Sequence, residues 1–138
     1  MSTRSTVGAV QRDGRIKAIY VHFDGYPAGV GYKLKTFYNT AEKVGELLNL
    51  GDLSILGESI GEKHNPASPE PGYCLAYGRD FGQRNSSASH FPSISKWIPF
   101  YSDAQFAYLF NGGVWEIVSA HSKTPEFLEV GRQLADQE

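Results

Sequence analysis

Hydrophobic and polar residues alternate along a stretch near the start of the chain, Arg15 to Phe23, a pattern typical of a β-strand. A shorter predicted strand, Ser5 to Val10, precedes it, and the turn Arg12-Asp13-Gly14 lies between them. Glycine tolerates the positive φ that tight hairpin turns require. The chain is therefore predicted to begin with a β-hairpin whose second strand, partly apolar on both faces, lies inside the sheet.

Apolar residues then recur at helical spacing, which predicts two consecutive amphipathic helices. The first helix spans Ala28 to Tyr38, and the second is capped by Asn39 or Thr40 and ends at Gly51. The proline-rich stretch from Glu58 to Gly72 shows no periodicity. We expect it to be a long loop that acts as a mobile flap.

The second half of the chain is predicted to hold a strand, a short helix, a clear hairpin and a final helix. The segments are the apolar connector Asp52–Gly57, the strand Tyr73–Tyr77, the polar loop Gly78–Ala88, the helix Ser93–Phe100, the hairpin strands Gln105–Phe110 and Val114–Ser119, and a C-terminal helix opened by Thr124-Pro125-Glu126 with the stripe Phe127, Val130 and Leu134. The order β-β-α-α-β-α-β-β-α predicts one α+β domain over residues 1–138. We expect a mainly antiparallel sheet, built from hairpins, with three to four helices packed on it.

The composition excludes several classes of protein. A net charge of −2 lacks the basic field of a dedicated DNA-binding protein. The single cysteine, Cys74, excludes an intrachain disulfide and is typical of a reducing compartment. No stretch approaches the ~20 apolar residues of a membrane span, and the N-terminus lacks the apolar core of a signal peptide. We therefore expect a cytoplasmic protein with no membrane partner.

A run of polar and titratable residues, HFDGYPAGVG from His22 to Gly31, follows directly on the second strand. His22 and Asp24 are candidates for a hydrogen-bonded acid/base pair, since a carboxylate fixes the tautomer of a histidine. Alternatively, the amides from Gly29 to Gly31 bind a phosphate or carboxylate at the helix start. The structural alternative is a tight turn in which Asp24 caps the backbone. We assign ligand binding to His22, Asp24, Tyr26, Gly29 and Gly31.

A second polar run, AYGRDFGQR from Ala76 to Arg84, follows the next predicted strand. Arg79 and Arg84 are candidates for gripping an anion, with Asp80 orienting one of the guanidinium groups. The alternative is an ion pair that only fastens a surface loop. The flap that carries His64 is expected to close over the ligand.

No catalytic or metal-binding signature in the chain is complete. The four histidines are scattered and Cys74 lies in an apolar segment, so we predict neither a metal site nor a cofactor. No serine lies in a nucleophile elbow. The chain is interpreted as a binding protein rather than an enzyme, and His22 and Asp24 are the catalytic candidates if it has an activity.

Several motifs, in order along the chain, resemble a group of small phage and prophage proteins. They are MSTRST at the start, HFDGYP after the hairpin, AYGRDFGQ in the second polar run and YLFNGGVW near the end. Proteins of that group begin MSTRSTI and carry HWDGYP and AYGRDRGE in the same order, and the resemblance extends from Met1 to about Val118. The chain departs from the group at Phe23, Phe81 and Gln83, where Trp, Arg and Glu are usual.

The resemblance implies a phage accessory protein in the host cytoplasm, where such proteins often counter host defences. The leading hypothesis is that it binds and sequesters a small anionic, nucleotide-like ligand without turnover. The alternative is a protein-interaction inhibitor of a host defence enzyme, and the third hypothesis is a small metal-independent phosphodiesterase. We also expect a homodimer, since symmetric dimers are the commonest oligomers.

Overall fold

The structure is a computed structural model that describes residues 2–119 and 127–129 of the chain. The strands are β1 (Ser5–Val10), β2 (Ile16–Val21), β3 (Leu53–Ile55), β4 (Leu75–Ala76), β5 (Ser89–Phe91), β6 (Phe106–Asn111), β7 (Val114–Ser119) and β8 (Phe127–Glu129). The helices are α1 (Tyr32–Phe37), which continues the π-helical turn Pro27–Gly31, α2 (Ala41–Leu50) and α3 (Ile94–Phe100). None of these helices is long and apolar enough to cross a membrane.

The strands form one sheet in the order β4-β3-β2-β1-β6-β7-β8, and β5 pairs with the first half of β2. The hairpins β1–β2 and β6–β7 are antiparallel, as the sequence predicts. In addition, β1 pairs in parallel with β6, and β2 pairs in parallel with β3 at Val21 and Leu53. The predicted α+β class is confirmed, whereas the sheet is mixed rather than mainly antiparallel. Parallel pairs join segments that are far apart in the chain, and local sequence patterns do not reveal such pairing.

Helices cover both faces of the sheet. The helices α1 and α2 pack on one face, where Leu34, Leu47 and Leu48 join the inward-facing residues of β1, β2 and β6 in one core. The helix α3 packs on the other face through Trp97, which is fully buried. The indole N–H of Trp97 donates to Thr6 Oγ1 at 2.9 Å, so its one polar group is satisfied inside the core.

Several elements lie at the predicted positions but differ from the prediction in their length or in how they begin. The cap of α2 is Thr40, whose side-chain oxygen accepts from the amide of Lys43 at 3.2 Å. The connector Asp52–Gly57 contains β3, and the predicted strand Tyr73–Tyr77 shrinks to the two residues of β4. The first helix has the predicted position but begins as a π-helical turn with a proline at its start. Element boundaries are thus set by tertiary pairing that local periodicity does not encode.

The predicted C-terminal helix is wrong over Phe127–Glu129, which form β8 and pair antiparallel with β7. This pairing gives β7 a hydrogen-bonded neighbour, and unpaired edge strands are a liability in folded proteins. At these three residues the long-range pairing outweighs the local helix signals. The opening residues Thr124-Pro125-Glu126 and the later stripe residues Val130 and Leu134 lie outside the described residues.

Candidate functional site

The C-terminal end of β2 presents two polar aromatic side chains on one face of the sheet. Ile19 and Val21 face the core under α1 and α2, so Tyr20 and His22, which alternate with them, face the other way. Ala18, earlier on that second face, is completely buried in the core beneath α3. Tyr20 and His22 are only half-buried. The layer formed by α3 therefore covers this face of the sheet as far as Ala18, and from Tyr20 onward the face is open to a ligand.

Two groups of neighbouring rings lie at this end of the sheet, and together we call them the aromatic row: Phe23, His22 and Tyr20 in one group, and Tyr77 and Phe81 in the other. The ring centroid of His22 lies 4.5 Å from that of Phe23 and 5.9 Å from that of Tyr20. The ring centroid of Tyr77, which follows β4, is 5.4 Å from that of Phe81, and Tyr77 is close enough to Tyr20 for its charge to act on the pKa of Tyr20. Phe23 and Phe81 are 42% and 47% exposed. The row therefore ends in aromatic side chains that a planar ligand can reach.

Arg4, just before β1, lies at the rim of the aromatic row, close enough for its charge to act on Tyr20. Its Nη1 donates to Asp103 Oδ2 at 3.3 Å in an exposed ion pair, which contributes little stability. A guanidinium has five N–H donors. Within the described part of the chain, the bond to Asp103 is the only hydrogen bond that the Arg4 side chain makes. Arg4 therefore has donors left for an anion.

The aromatic row is partly dehydrated. Burial raises the pKa of Tyr20, and the positive charge of Arg4 opposes that rise. Asp52 Oδ1 accepts from the backbone N–H of Tyr20 at 2.9 Å. Burial also raises the pKa of Asp52, against the lowering effect of that hydrogen bond. In such surroundings hydrogen bonds and charge interactions with a ligand are stronger than in bulk water.

His22 is paired with a tyrosine and not with the carboxylate considered from the sequence. Its Nδ1 lies 2.7 Å from the hydroxyl oxygen of Tyr20. Asp24 Oδ1 instead accepts from the hydroxyl of Tyr26 at 3.3 Å. The hydrogen-bonded acid/base pair of His22 and Asp24 is therefore not formed in this structure, and His22 is oriented by a neutral group.

The turn after β2 is fixed by its own backbone. Asp24 has a φ of 58°, and its carbonyl accepts from the amide of Val30 at 2.8 Å. The amide of Gly29 donates to the carbonyl of Tyr26 at 2.9 Å, and a Cβ on Gly29 would collide with the carbonyl of Asp24. Gly31 is buried. The amides of Gly29 and Val30, which were considered for anion binding, are thus used within the turn.

Arg79, Asp80 and His64 meet at the edge of the sheet beside β4, and we call them the edge cluster. The side chain of Asp80 is fully buried. It accepts from Arg79 Nε at 2.9 Å and Nη2 at 3.1 Å, and from the amides of Ala76 at 2.7 Å and His64 at 3.2 Å. Burial alone raises the pKa of Asp80, but these hydrogen bonds outweigh it and hold the pKa below its ordinary value. The carboxylate is therefore charged at neutral pH and balanced by Arg79.

The other bonded donors of Arg79 also point into the protein. Its Nη1 donates to the carbonyl of Ile60 at 2.8 Å, and its Nη2 donates to the carbonyl of Cys74 at 2.7 Å. With the two bonds to Asp80, four of its five N–H groups are occupied. The geometry of Arg79 therefore agrees with the alternative interpretation of the sequence, in which this arginine forms an ion pair that fastens a surface loop.

His64 fastens the long loop to the same edge. Its Nδ1 accepts from the amide of Glu70 at 2.8 Å, and its Nε2 lies 2.9 Å from the carbonyl oxygen of Cys74. Because Nδ1 is the acceptor, Nε2 carries the proton and donates to that carbonyl. The segment Glu58–Gly72, predicted as a flap, is therefore tied to the edge strand through His64 and Arg79.

The second polar run contributes its rings, and not its charged groups, to the aromatic row. The rings of Tyr77 and Phe81 belong to the aromatic row, whereas Arg79 and its carboxylate partner belong to the edge cluster. Arg84 is exposed in the loop after β4. The open face therefore has an aromatic character that the charge pattern of the second run does not suggest.

Sequence reasoning does not single out Arg4, Tyr20 and Tyr77 as a group. The alternation along β2 places Tyr20 on the same face as His22, and this signal was available. The register of the predicted hairpin pairs Ser5 with Val21 and so brings Arg4 beside His22, whereas the position of Tyr77 depends on the order of β2, β3 and β4 in the sheet. That order cannot be derived from local periodicity.

Among the described residues, no group of three or more His, Cys, Asp or Glu side chains is placed to hold a metal ion. Comparisons of the chain with protein-family models, curated proteins and solved structures find no match. The function is therefore argued from the site itself.

Proposed function

We propose that this protein is a phage accessory protein that counters host defence by binding and sequestering a small anionic, nucleotide-like ligand without turnover. The phage setting is supported by the motifs that resemble phage and prophage proteins. The ligand class is supported by the aromatic row with Arg4 at its rim, and this combination of rings and a cation is the observation that carries the proposal.

The aromatic row supplies the surface for a base. Nucleobases stack on aromatic side chains, and each stacked base contributes about 1–3 kcal/mol by alanine substitution. The exposed side chains of Phe23 and Phe81 are open to such stacking. The hydroxyls of Tyr20 and Tyr77 add groups that both donate and accept hydrogen bonds, as base edges and sugars require.

Arg4 supplies the cation for a phosphate. Charge-assisted hydrogen bonds from a guanidinium to phosphate are among the strong ones, and within the described residues the exposed ion pair with Asp103 is the only one that Arg4 would lose. Arg79 is committed to the edge cluster. The proposal therefore assigns the phosphate to Arg4, and it keeps Asp24 and Tyr26, in the turn after His22, as partners for a sugar hydroxyl.

The test is calorimetric titration with a panel of mononucleotides, cyclic mononucleotides and cyclic dinucleotides. The variants Phe81→Ala and Arg4→Gln are each expected to weaken binding about tenfold. Phe100→Ala and Arg15→Gln are matched controls, since they remove an exposed ring and an exposed guanidinium outside the row. Absence of heat with every nucleotide, or equal weakening by the controls, would overturn the proposal.

A second candidate function is the inhibition of a host defence enzyme by direct contact. The observation in its favour is the exposure of Phe23, Tyr26 and Phe81, because aromatic residues and arginine dominate the energy of protein interfaces. Pull-down from host lysate separates the two functions, since a sequestering protein retains its ligand with no protein partner present. Chromatography of the bound nucleotide tests the phosphodiesterase alternative, which requires a product whose formation stops in His22→Ala.

A further inference from the structure

A cavity of about 350 Å³ opens between α2 and the tips of the β1–β2 and β6–β7 hairpins. We call it the α2 groove. Its floor is apolar and consists of side chains that belong to the main core: Ala9, Val44, Leu48 and Phe110. The volume is at the lower end of the roughly 300–1,000 Å³ that small-molecule sites occupy. The α2 groove is thus large enough for one small ligand.

The charged side chains that line the α2 groove are both cationic. Arg12 is exposed in the turn between β1 and β2, and Lys17 Nζ donates to Asn49 Oδ1 of α2 at 2.6 Å. No carboxylate of the described residues lines this cavity. An apolar floor with a positive rim is complementary to an anion that carries an apolar body.

Gly45 keeps the α2 groove open. It lies in the middle of α2, where glycine destabilises a helix relative to alanine. A Cβ at this position would meet no atom within 4 Å, so packing against the rest of the protein does not require a glycine. The empty space in front of Gly45 belongs to the groove that it lines. A ligand that fills this space would explain why α2 has a glycine at this position.

We infer that the α2 groove is a second binding site, for a small anion with an apolar body such as a medium-chain carboxylate. The apolar body lies on the floor beside Gly45, and the anionic group reaches Arg12 and Lys17. This site is separate from the aromatic row, because Lys17 and His22 face opposite sides of the sheet and lie about 17 Å apart along β2. The inference of a second site therefore does not depend on the proposed function.

The test is calorimetric titration of the full chain with octanoate, and with 1-octanol as the uncharged probe. Gly45→Leu fills the groove and should weaken octanoate binding at least about tenfold, as the loss of two buried methylene groups would. Thr36→Leu places the same side chain on α1, outside the lining and without a change of charge, and should leave binding unchanged. Arg12→Gln should weaken binding about threefold at low salt, whereas Arg15→Gln in the same turn should not.

Octanoate binding that Gly45→Leu weakens and Thr36→Leu does not would support the site. Absence of octanoate binding to the wild-type chain, or equal binding by Gly45→Leu, would overturn it. Equal binding of 1-octanol and octanoate would refute the anionic part of the inference. If Gly45→Leu does not fold, the comparison of Arg12→Gln with Arg15→Gln decides, and equal affinities would count against the site.

Discussion

Replacement of Asp80 by asparagine tests how the edge cluster holds the long loop against the sheet. The buried carboxylate accepts two hydrogen bonds from the guanidinium of Arg79 and two from backbone amides. Asparagine keeps the shape, but it removes the charge and turns one acceptor into a donor. Breaking a buried ion pair costs about 3–5 kcal/mol. The side chain of Arg79 is 18% exposed, so we expect a loss at the lower end, about 3 kcal/mol.

Urea denaturation followed by tryptophan fluorescence measures this loss, which corresponds to a fall in Tm of about 10 °C for a chain of this size. Proteolysis within Glu58–Gly72 should also become faster in the variant, because the loop loses its fastening. Asp13→Asn is the control, since it removes a carboxylate from an exposed pair with Arg15 and should change stability little. A loss below about 1 kcal/mol with unchanged proteolysis of the loop would refute the reasoning.

The pKa of the same carboxylate, that of Asp80, determines in which direction the stability of the protein changes with pH. The folded-state pKa of Asp80 lies below its ordinary value of 3.8, so the unfolded chain takes up the proton first as the pH falls. The stability that Asp80 contributes is therefore fully present above the unfolded-state pKa and is lost as the pH falls through the folded-state pKa. In acid titrations below about pH 4, Asp80→Asn should lose stability less steeply than the wild-type chain. Parallel slopes would contradict this assignment.

Three further substitutions probe single contacts by urea denaturation. Tyr108→Phe removes the hydroxyl that donates to the carbonyl of Gly25 at 2.7 Å, and it should cost about 1–2 kcal/mol. Thr40→Ala removes the cap that accepts from Lys43 and should cost about 1 kcal/mol, most of which Thr40→Ser should restore. Gly45→Ala adds a methyl group in open space within a helix and should increase the free energy of unfolding by about 1 kcal/mol, so a decrease would contradict the openness of the groove.

Local patterns predicted the parts of the fold that local physics determines. The two hairpins rest on alternation and on glycine-containing turns, and α2 rests on its apolar stripe and on Thr40. The parallel pairing of β1 with β6 joins residues such as Val7 and Tyr108 that are remote in the chain. Only the complete sheet determines such contacts. The helix predicted over Phe127–Glu129 is wrong because these residues pair with β7 as a strand.

The candidate site was predictable to a similar extent. The sequence indicated that His22 and the run after β4 carry polar groups near a turn, and the structure has His22 in the aromatic row. It did not indicate that Arg79 directs four donors into the protein, because the carbonyls of Ile60 and Cys74 become acceptors only in the folded chain. A charged motif in a sequence therefore does not show whether its charges face a ligand or the protein itself.

Native mass spectrometry of protein purified from host cells with active defence signalling tests the central claim most directly. The account predicts a co-purifying mass in the nucleotide range on the wild-type chain. That mass should be lost in the double variant Arg4→Gln/Phe81→Ala and kept in the matched control Arg15→Gln/Phe100→Ala. The same spectra report whether the chain is a homodimer. A wild-type chain that carries no added mass, or an added mass that the double variant retains, would contradict the assignment of the aromatic row as a nucleotide site.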